Sequence, residues 1–266
     1  MHQLLENLWE DYLTLTPDAK RIHDLFATNG ETIVNDHIAL RTFNRGAIAL
    51  DAIAEYLAQF GYKAVDEYHF EAKKLRAYHF EVPTDLDAPK IFVSELLLEE
   101  MPQAVQDICE GLIAEAEQAI AEKGLSLPMM PWRTISAGEY ELLLKHSEYA
   151  AWLATFGLRA NHFTVSVNHL TQLASLEAVN ELLKEKSFAL NVSGGEIKGS
   201  EEVALKQSST MANLVKWSFS DRELTIRSCF YEFAERFNIP GTDQQYRGFV
   251  AASADKIFES TNVAAA

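Results

Sequence analysis

His37 and His162 occupy matching places in two copies of one sequence plan, and each copy closes on a run that carries a glutamate. The first copy opens with Asn35-Asp36-His37-Ile38-Ala39-Leu40-Arg41 and closes with Ile91-Phe92-Val93-Ser94-Glu95. The second opens with Ala160-Asn161-His162-Phe163-Thr164-Val165-Ser166 and closes with Ser228-Cys229-Phe230-Tyr231-Glu232-Phe233. Side chains alternate between the faces of a strand. His37, Ala39 and Arg41 therefore share one face, His162, Thr164 and Ser166 a second, and Ser228, Phe230 and Glu232 a third. If each copy curls so that these faces turn inward, two imidazoles and one carboxylate meet. Two histidines and a carboxylate, with positions left open, are the ligand set expected of a non-haem iron(II) centre. His37, His162 and Glu232 are thus the candidate metal ligands. Zinc or nickel bind such N/O sites at least as well and would compete for it during isolation.

A histidine on a strand is more often a hydrogen-bonded core group than a ligand, and only the equivalence of their slots lifts these two above that reading. Arg41, on the face of His37, is a candidate substrate-binding and catalytic residue, because a guanidinium can hold a carboxylate through two hydrogen bonds. The structural alternative pairs it with Asp36 or Glu95. Gln207 and Ser208, in the polar run Lys206-Gln207-Ser208-Ser209-Thr210, are candidate substrate contacts; the alternative is that the run ties its strand to a loop. Glu95 takes the first-copy slot matching Glu232, as a rival or a fourth ligand. His79 either lines the pocket or packs, and His69 is a neighbouring alternative. Glu235 reads as a surface or supporting group, with Arg236 as its partner. Cys229 falls on the face opposite Glu232, which argues against a nucleophile. The chain has no GxSxG, P-loop or GxGxxG pattern, removing the usual hydrolase, kinase and dinucleotide signatures.

The elements that must position these groups are of the α+β class. Two helices are expected in residues 1–30, parted by Thr16-Pro17. A first βαβββ module spans 31–97, with a helix at 48–60 and strands at 62–68, 75–82 and 90–97. A helical insert spans 98–158, its last helix running unbroken from Ser136 to about Phe156. A second βαβββ module spans 159–236, with strands at 188–198, 205–209 and 225–233. A bend is expected at Gly194-Gly195, and a further strand at 211–220 turns at Ser220-Asp221. A C-terminal segment, 237–266, packs on the core with a short helix at 252–260 and a frayed tail at 264–266. The modules form one curved mixed sheet, a half-barrel around a metal, within a single compact domain.

Composition narrows the partners. The 266 residues carry a formal charge of −16, which opposes binding to nucleic acid or an anionic membrane. It does not oppose a small anion, since a few buried arginines reverse the field locally. No stretch approaches the roughly 20 apolar residues of a membrane span. Cys109 and Cys229 are the only cysteines, and the N-terminus lacks the marks of a signal peptide, which fits a cytoplasmic protein. A homodimer is among the assemblies this composition allows.

The paired βαβββ plan resembles the vicinal oxygen chelate superfamily. Asp36-His37 to Arg41, Asn161-His162-Phe163-Thr164, Gln207-Ser208-Ser209-Thr210-Met211-Ala212, Tyr231-Glu232-Phe233-Ala234-Glu235-Arg236 and the closing run from Ala254 to Thr261 resemble, in that order, the 2-oxoadipate dioxygenase/decarboxylase (D-2-hydroxyglutarate synthase) family. The resemblance implies iron(II) on His37, His162 and Glu232, with Arg41 matching a substrate-binding arginine. It implies conversion of 2-oxoadipate and O2 to (R)-2-hydroxyglutarate and CO2, in lysine breakdown. The chain is shorter than the best-known members. Two other readings keep the fold. One is a glyoxalase-like isomerase or lyase using Glu95 as ligand or base with zinc or nickel. The other is a non-catalytic module that binds a small acid.

Overall fold

Thr16-Pro17 divides the N-terminal helical run, because proline fits the first turn of a helix but not its interior. In the computed structural model, which describes residues 1–261, helix α1 (His2–Leu15) ends there and α2 (Pro17–Thr28) begins. The first module follows as β1 (Asn35–Phe43), α3 (Leu50–Ala58), β2 (Lys63–Phe70), β3 (Leu75–Glu81) and β4 (Lys90–Leu96). The insert comprises α4 (Gln103–Lys123), α5 (Ala137–His146) and α6 (Glu148–Phe156). The second module is β5 (Ala160–Ser166), α7 (Leu176–Glu185), β6 (Lys198–Ser200), β7 (Leu205–Ser209), the hairpin β8 (Leu214–Ser218) and β9 (Glu223–Arg227), and β10 (Phe230–Arg236). Helix α8 (Ala251–Ile257) and the helical turn Phe258–Thr261 close the described chain. The expected fray at 264–266 lies outside the described residues. Among the described residues no helix is long and apolar enough to cross a membrane.

The main sheet has eight strands in the order β2-β3-β4-β1-β5-β10-β7-β6. Its logic is a repeat. Within each module the first strand lies parallel to the last, β1 with β4 and β5 with β10. The two first strands, β1 and β5, then pair antiparallel and join the halves. The fold class read from the sequence is thus the one found. One continuous core runs beneath the helices, from Leu8 and Tyr12 of α1 through Phe163 and Tyr231 to Trp152 of α6.

Three elements depart from expectation. The helix expected from Ser136 to Phe156 is broken at Ser147, whose hydroxyl accepts the Ala150 N–H and caps a new helix, α6. The strand expected at 188–198 shrinks to Lys198–Ser200, because Gly194 and Gly195 turn the chain at φ of 71° and 103°. The strand expected at 225–233 divides at Ser228-Cys229. Ser228 donates its hydroxyl to Leu15 O and its N–H to Asn213 O, leaving β9 to a separate hairpin with β8 and admitting only β10 to the main sheet. The turn of that hairpin falls at Ser220-Asp221, as expected.

His79 on β3 is 1% exposed, and its Nδ1 lies 2.9 Å from the Tyr68 hydroxyl. Burial pushes its pKa down to about 4, against the pull of Glu81 and Asp66. The native state keeps this imidazole neutral where the unfolded chain begins to protonate, near pH 6.5. Its contribution to stability is therefore full above that pH and is lost as pH falls toward 4, by about 3 kcal/mol in total. His79→Gln, which keeps an acceptor for Tyr68, should flatten the decline of unfolding free energy across that window, measured by urea denaturation. An unchanged slope would count against a neutral buried His79.

Candidate metal centre

Strands β1, β5 and β10 lie side by side, and their registers decide what meets on the inner face. Thr164 of β5 stands opposite His37 on one side and Glu232 on the other, while His162 is two residues along on the same face. One ligand atom from each of His37, His162 and Glu232 lies within 4.8 Å of the others, and all three residues are buried. His162 Nε2 is 3.0 Å from Glu232 Oε2, and His37 Nε2 is 3.6 Å from Glu232 Oε1. Donors each about 2.0–2.2 Å from one ion sit roughly 3–3.5 Å apart, so these separations suit a shared metal. Glu232 Oε2 is buried and makes no aligned hydrogen bond, and neither does Gln207 Oε1. An orphaned carboxylate oxygen facing two imidazoles is what a metal would satisfy. The residues fit a divalent ion.

Both imidazoles are oriented by the residue before them. His37 Nδ1 is 2.7 Å from Asp36 Oδ1, and His162 Nδ1 is 3.1 Å from Asn161 Oδ1. A donated Nδ1–H leaves the Nε2 lone pair for a metal, the usual supporting arrangement for histidine ligands. Asp36 is gripped in turn by Arg236, Nε to Oδ2 at 2.6 Å and Nη2 to Oδ1 at 2.9 Å. Burial would raise the Asp36 pKa, but Arg236 outweighs it and holds the carboxyl well below the usual carboxylate range. Burial would likewise raise Glu232; the two imidazoles and the Gln207 amide, 2.6 Å from Oε1, turn the net shift downward. His162 is lowered by burial, against the pull of Glu232. The centre thus favours an ionised acid, and burial disfavours the charged form of His162. Asp36, Asn161 and Arg236 as orienting groups were missed in the sequence, although a short polar residue precedes each histidine.

Arg41 is 2% exposed. Its guanidinium lies 4.9 Å from the ring centroids of both Tyr149 and Trp152, donates to Glu148 Oε1 and Thr261 Oγ1 at 3.1 Å each, and leaves Nε unpaired. It shares with His37, His162, Glu232, Phe249 and Ile257 a cavity of about 20 Å³. The alternative pairing with Asp36 or Glu95 does not occur.

Other expectations need correction. Glu95 does not occupy the slot of Glu232. His37 pairs with Lys90 and His162 with Phe230, so the position two residues on is Phe92 in the first module and Glu232 in the second. Glu95 lies an odd number of residues further, on the outer face. There its oxygens accept from Leu50 N and from Arg76. Ser208 also faces outward, donating to Asn180 of α7, whereas Gln207 does reach the site. Glu235 accepts the Leu176 N–H at the start of α7, while Arg236, its expected partner, goes to Asp36. His79 packs beside Phe249 instead of lining the cavity, and His69 pairs with Glu67 at the surface.

The chain matches the 2-oxoadipate dioxygenase/decarboxylase family over residues 4–240. It belongs to that family. A chloroplastic 2-oxoadipate dioxygenase/decarboxylase of Arabidopsis thaliana is 35% identical, with 94% of this chain and 74% of that protein aligned. The crystal structure of hydroxyglutarate synthase from Oryza sativa, in complex with 2-oxoadipate, superimposes with a TM-score of 0.90. It is 32% identical, covering 99% of this chain and 92% of that one. A Shewanella frigidimarina structure, described only as that of a presumed hydrolase, is 47% identical with a TM-score of 0.87, over 94% of this chain and 98% of that one.

Asn161→Ala removes the acceptor at His162 Nδ1 without stranding a charge. Metal affinity, read by competition with a chromophoric chelator, should fall about 10–100-fold while the fold is retained by circular dichroism. Unchanged affinity would show that Asn161 does not orient a ligand.

Proposed function

We propose that this protein is an iron(II)-dependent dioxygenase that converts 2-oxoadipate and O2 to (R)-2-hydroxyglutarate and CO2, with His37, His162 and Glu232 as metal ligands and Arg41 as the substrate-binding arginine. The observation that carries this reading is the cluster of two imidazoles and one carboxylate, with an orphaned oxygen at its centre and a buried arginine on the same wall. Membership of the family and the 2-oxoadipate bound to the Oryza sativa synthase support the choice of substrate. Iron(II) held there would supply Lewis acidity toward a 2-oxo acid and the electrons for O2 chemistry.

The chain's own residues do the rest. Asp36 and Asn161 hold the imidazoles with Nε2 toward the centre, and Gln207 holds one oxygen of Glu232 so that the other stays free. Arg41 offers its unpaired Nε, and donors now spent on Glu148 and Thr261, to a carboxylate. Phe249, which packs edge-on against His37 at 4.8 Å, and Ile257 keep bulk water out, which strengthens each of these contacts. The isomerase reading needs Glu95 as ligand or base. Its two oxygens are committed on the outer face, which favours the dioxygenase.

Protein loaded anaerobically with iron(II) should consume O2 on addition of 2-oxoadipate, release CO2 in equal amount and yield 2-hydroxyglutarate. An oxygen electrode and product chromatography measure all three. His162→Ala should lose both metal and turnover; full retention of the two would end the assignment. Arg41→Met should lower kcat/KM by about 100-fold or more, since a buried charged contact is worth at least 2–5 kcal/mol. Turnover of the substrate without O2 uptake would instead indicate the isomerase.

A further inference from the structure

A second cavity, of about 310 Å³, opens beside the metal centre and is lined by Asp36, Lys90, Arg236 and Arg247 among others. Lys90 stands opposite His37 in the β1–β4 register, but its long side chain runs into this polar space and not into the first cavity. It is 6% exposed, and among the described residues its ammonium has no hydrogen bond or ion pair within 4 Å. The other deeply buried lysine, Lys198, donates to Asn191 O. Asp36 and Glu81, the acids whose charges act on Lys90, are already spent, the first on Arg236 and His37 and the second on Arg247. The ammonium therefore faces the cavity without a counter-charge of its own, and an anion there would pair with it.

We propose that this cavity is a binding site for a small oxyanion, a carboxylate or a phosphate, with the Lys90 ammonium as its main ligand. Two further donors line the same space uncommitted. Arg247 spends Nε on Glu81 and Nη2 on Leu86 O, leaving Nη1 free. His169 spends Nδ1 on Ser166, leaving Nε2 free. An orphan of opposite kind, the buried Asn35 Oδ1, lines the cavity as an acceptor without a partner and suits a hydroxyl on the bound anion. Burial holds the Lys90 pKa down to about 8, partly offset by Asp36, so an anion would both pair with the ammonium and favour its charged form. Three cationic side chains, against the two acids Asp36 and Asp87, leave this lining net positive in a chain of net charge −16. The Asp36–Arg236 pair separates this cavity from the metal centre, so an occupant would touch the group that orients His37. The inference does not depend on the reaction proposed above.

Isothermal titration calorimetry of the metal-free full chain tests it, with inorganic phosphate and glutarate as separate probes at low salt. At least one should bind, and which one does names the source of the oxyanion. Lys90→Met should weaken that binding by about tenfold or more, and Lys90→Arg should restore it in part. Arg41→Met should leave phosphate binding, and the part of glutarate binding that Lys90→Met removes, unchanged, which separates this site from the metal cavity. Absence of binding by both anions at millimolar concentration, or equal affinity in Lys90→Met, overturns the proposal. Should Lys90→Met fail to fold, acetylation of Lys90 in the wild-type protein, followed by mass spectrometry, decides. The bound anion should slow modification at Lys90, and an unaffected rate overturns the proposal equally.

Discussion

Everything at the centre of this molecule depends on the antiparallel pairing of β1 with β5. Each module alone has a first strand with an inward histidine and a last strand beside it, but one imidazole from one module cannot bind a metal firmly. Joining the modules edge to edge through these two strands places His37 and His162 on the same inner face, with rings 5.6 Å apart. Glu232 follows because β10 is the parallel neighbour of β5. A slip of one residue in the β1–β5 register would turn one histidine outward and dissolve the site. Apolar neighbours guard that register. Ile38 and Phe163 face each other across it and sink into the core beneath α1.

The polar cost of the site is considerable. Asp36, His37, His162, Glu232, Arg236 and Arg41 are all nearly inaccessible to water. Buried ion pairs such as Asp36–Arg236 seldom add net stability, because desolvation offsets the attraction. Their value here is orientation: Arg236 fixes Asp36, Asp36 fixes the His37 ring, and carbonyls of Tyr246 and Gly248 fix Arg236. The C-terminal segment thereby enters the support of the centre, which explains why Arg236 belongs to the site although it does not line the metal cavity. Folding energy comes instead from the apolar layer of α1, α6 and the sheet, where Trp152 and Tyr12 also tie their polar atoms to backbone carbonyls on either side of Cys229.

The sequence made the histidines legible because the chain repeats itself, and two matching slots say more than one histidine can. Glu232 was legible from strand alternation on β10. What failed was counting from the ends of runs. Glu95 seemed to match Glu232 because both close a strand, but the true correspondence is set by hydrogen-bond register, and it puts Phe92 there. Ser208 failed for the same reason: alternation allows only one of two adjacent residues to face inward, and Gln207 is that one. Arg236 was paired with its sequence neighbour although its partner lies 200 residues away, a contact that only the closed sheet creates. The break at Ser147 rests on one hydroxyl hydrogen bond and that at Ser228 on its hydroxyl and N–H together, which no periodicity encodes.

The smallness of the metal cavity bears on how a substrate gets in. About 20 Å³ holds a single water. A six-carbon dicarboxylate cannot occupy it, so on the proposed reading part of the wall must give way. The sheet side is fixed by backbone hydrogen bonds, whereas the other side is α8 and the turn Phe258–Thr261, which carry Ile257 and Phe258 into the cavity. That wall is fastened by side-chain contacts, among them Lys73 with Glu259 at 2.6 Å, Arg41 with Thr261 at 3.1 Å, the serine pair Ser209–Ser260 at 2.8 Å and the Asn191 amide with Lys256 O and Ser260 Oγ, and by one backbone bond from Ala212 N–H to Ser260 O. A carboxylate arriving at Arg41 would compete with Thr261 for the same guanidinium. Binding would then weaken one of the contacts that keep the cavity shut, and substrate recognition and opening would draw on the same arginine. The aromatic faces of Tyr149 and Trp152 hold that guanidinium from behind in either state, so the charge need not move for the wall to do so.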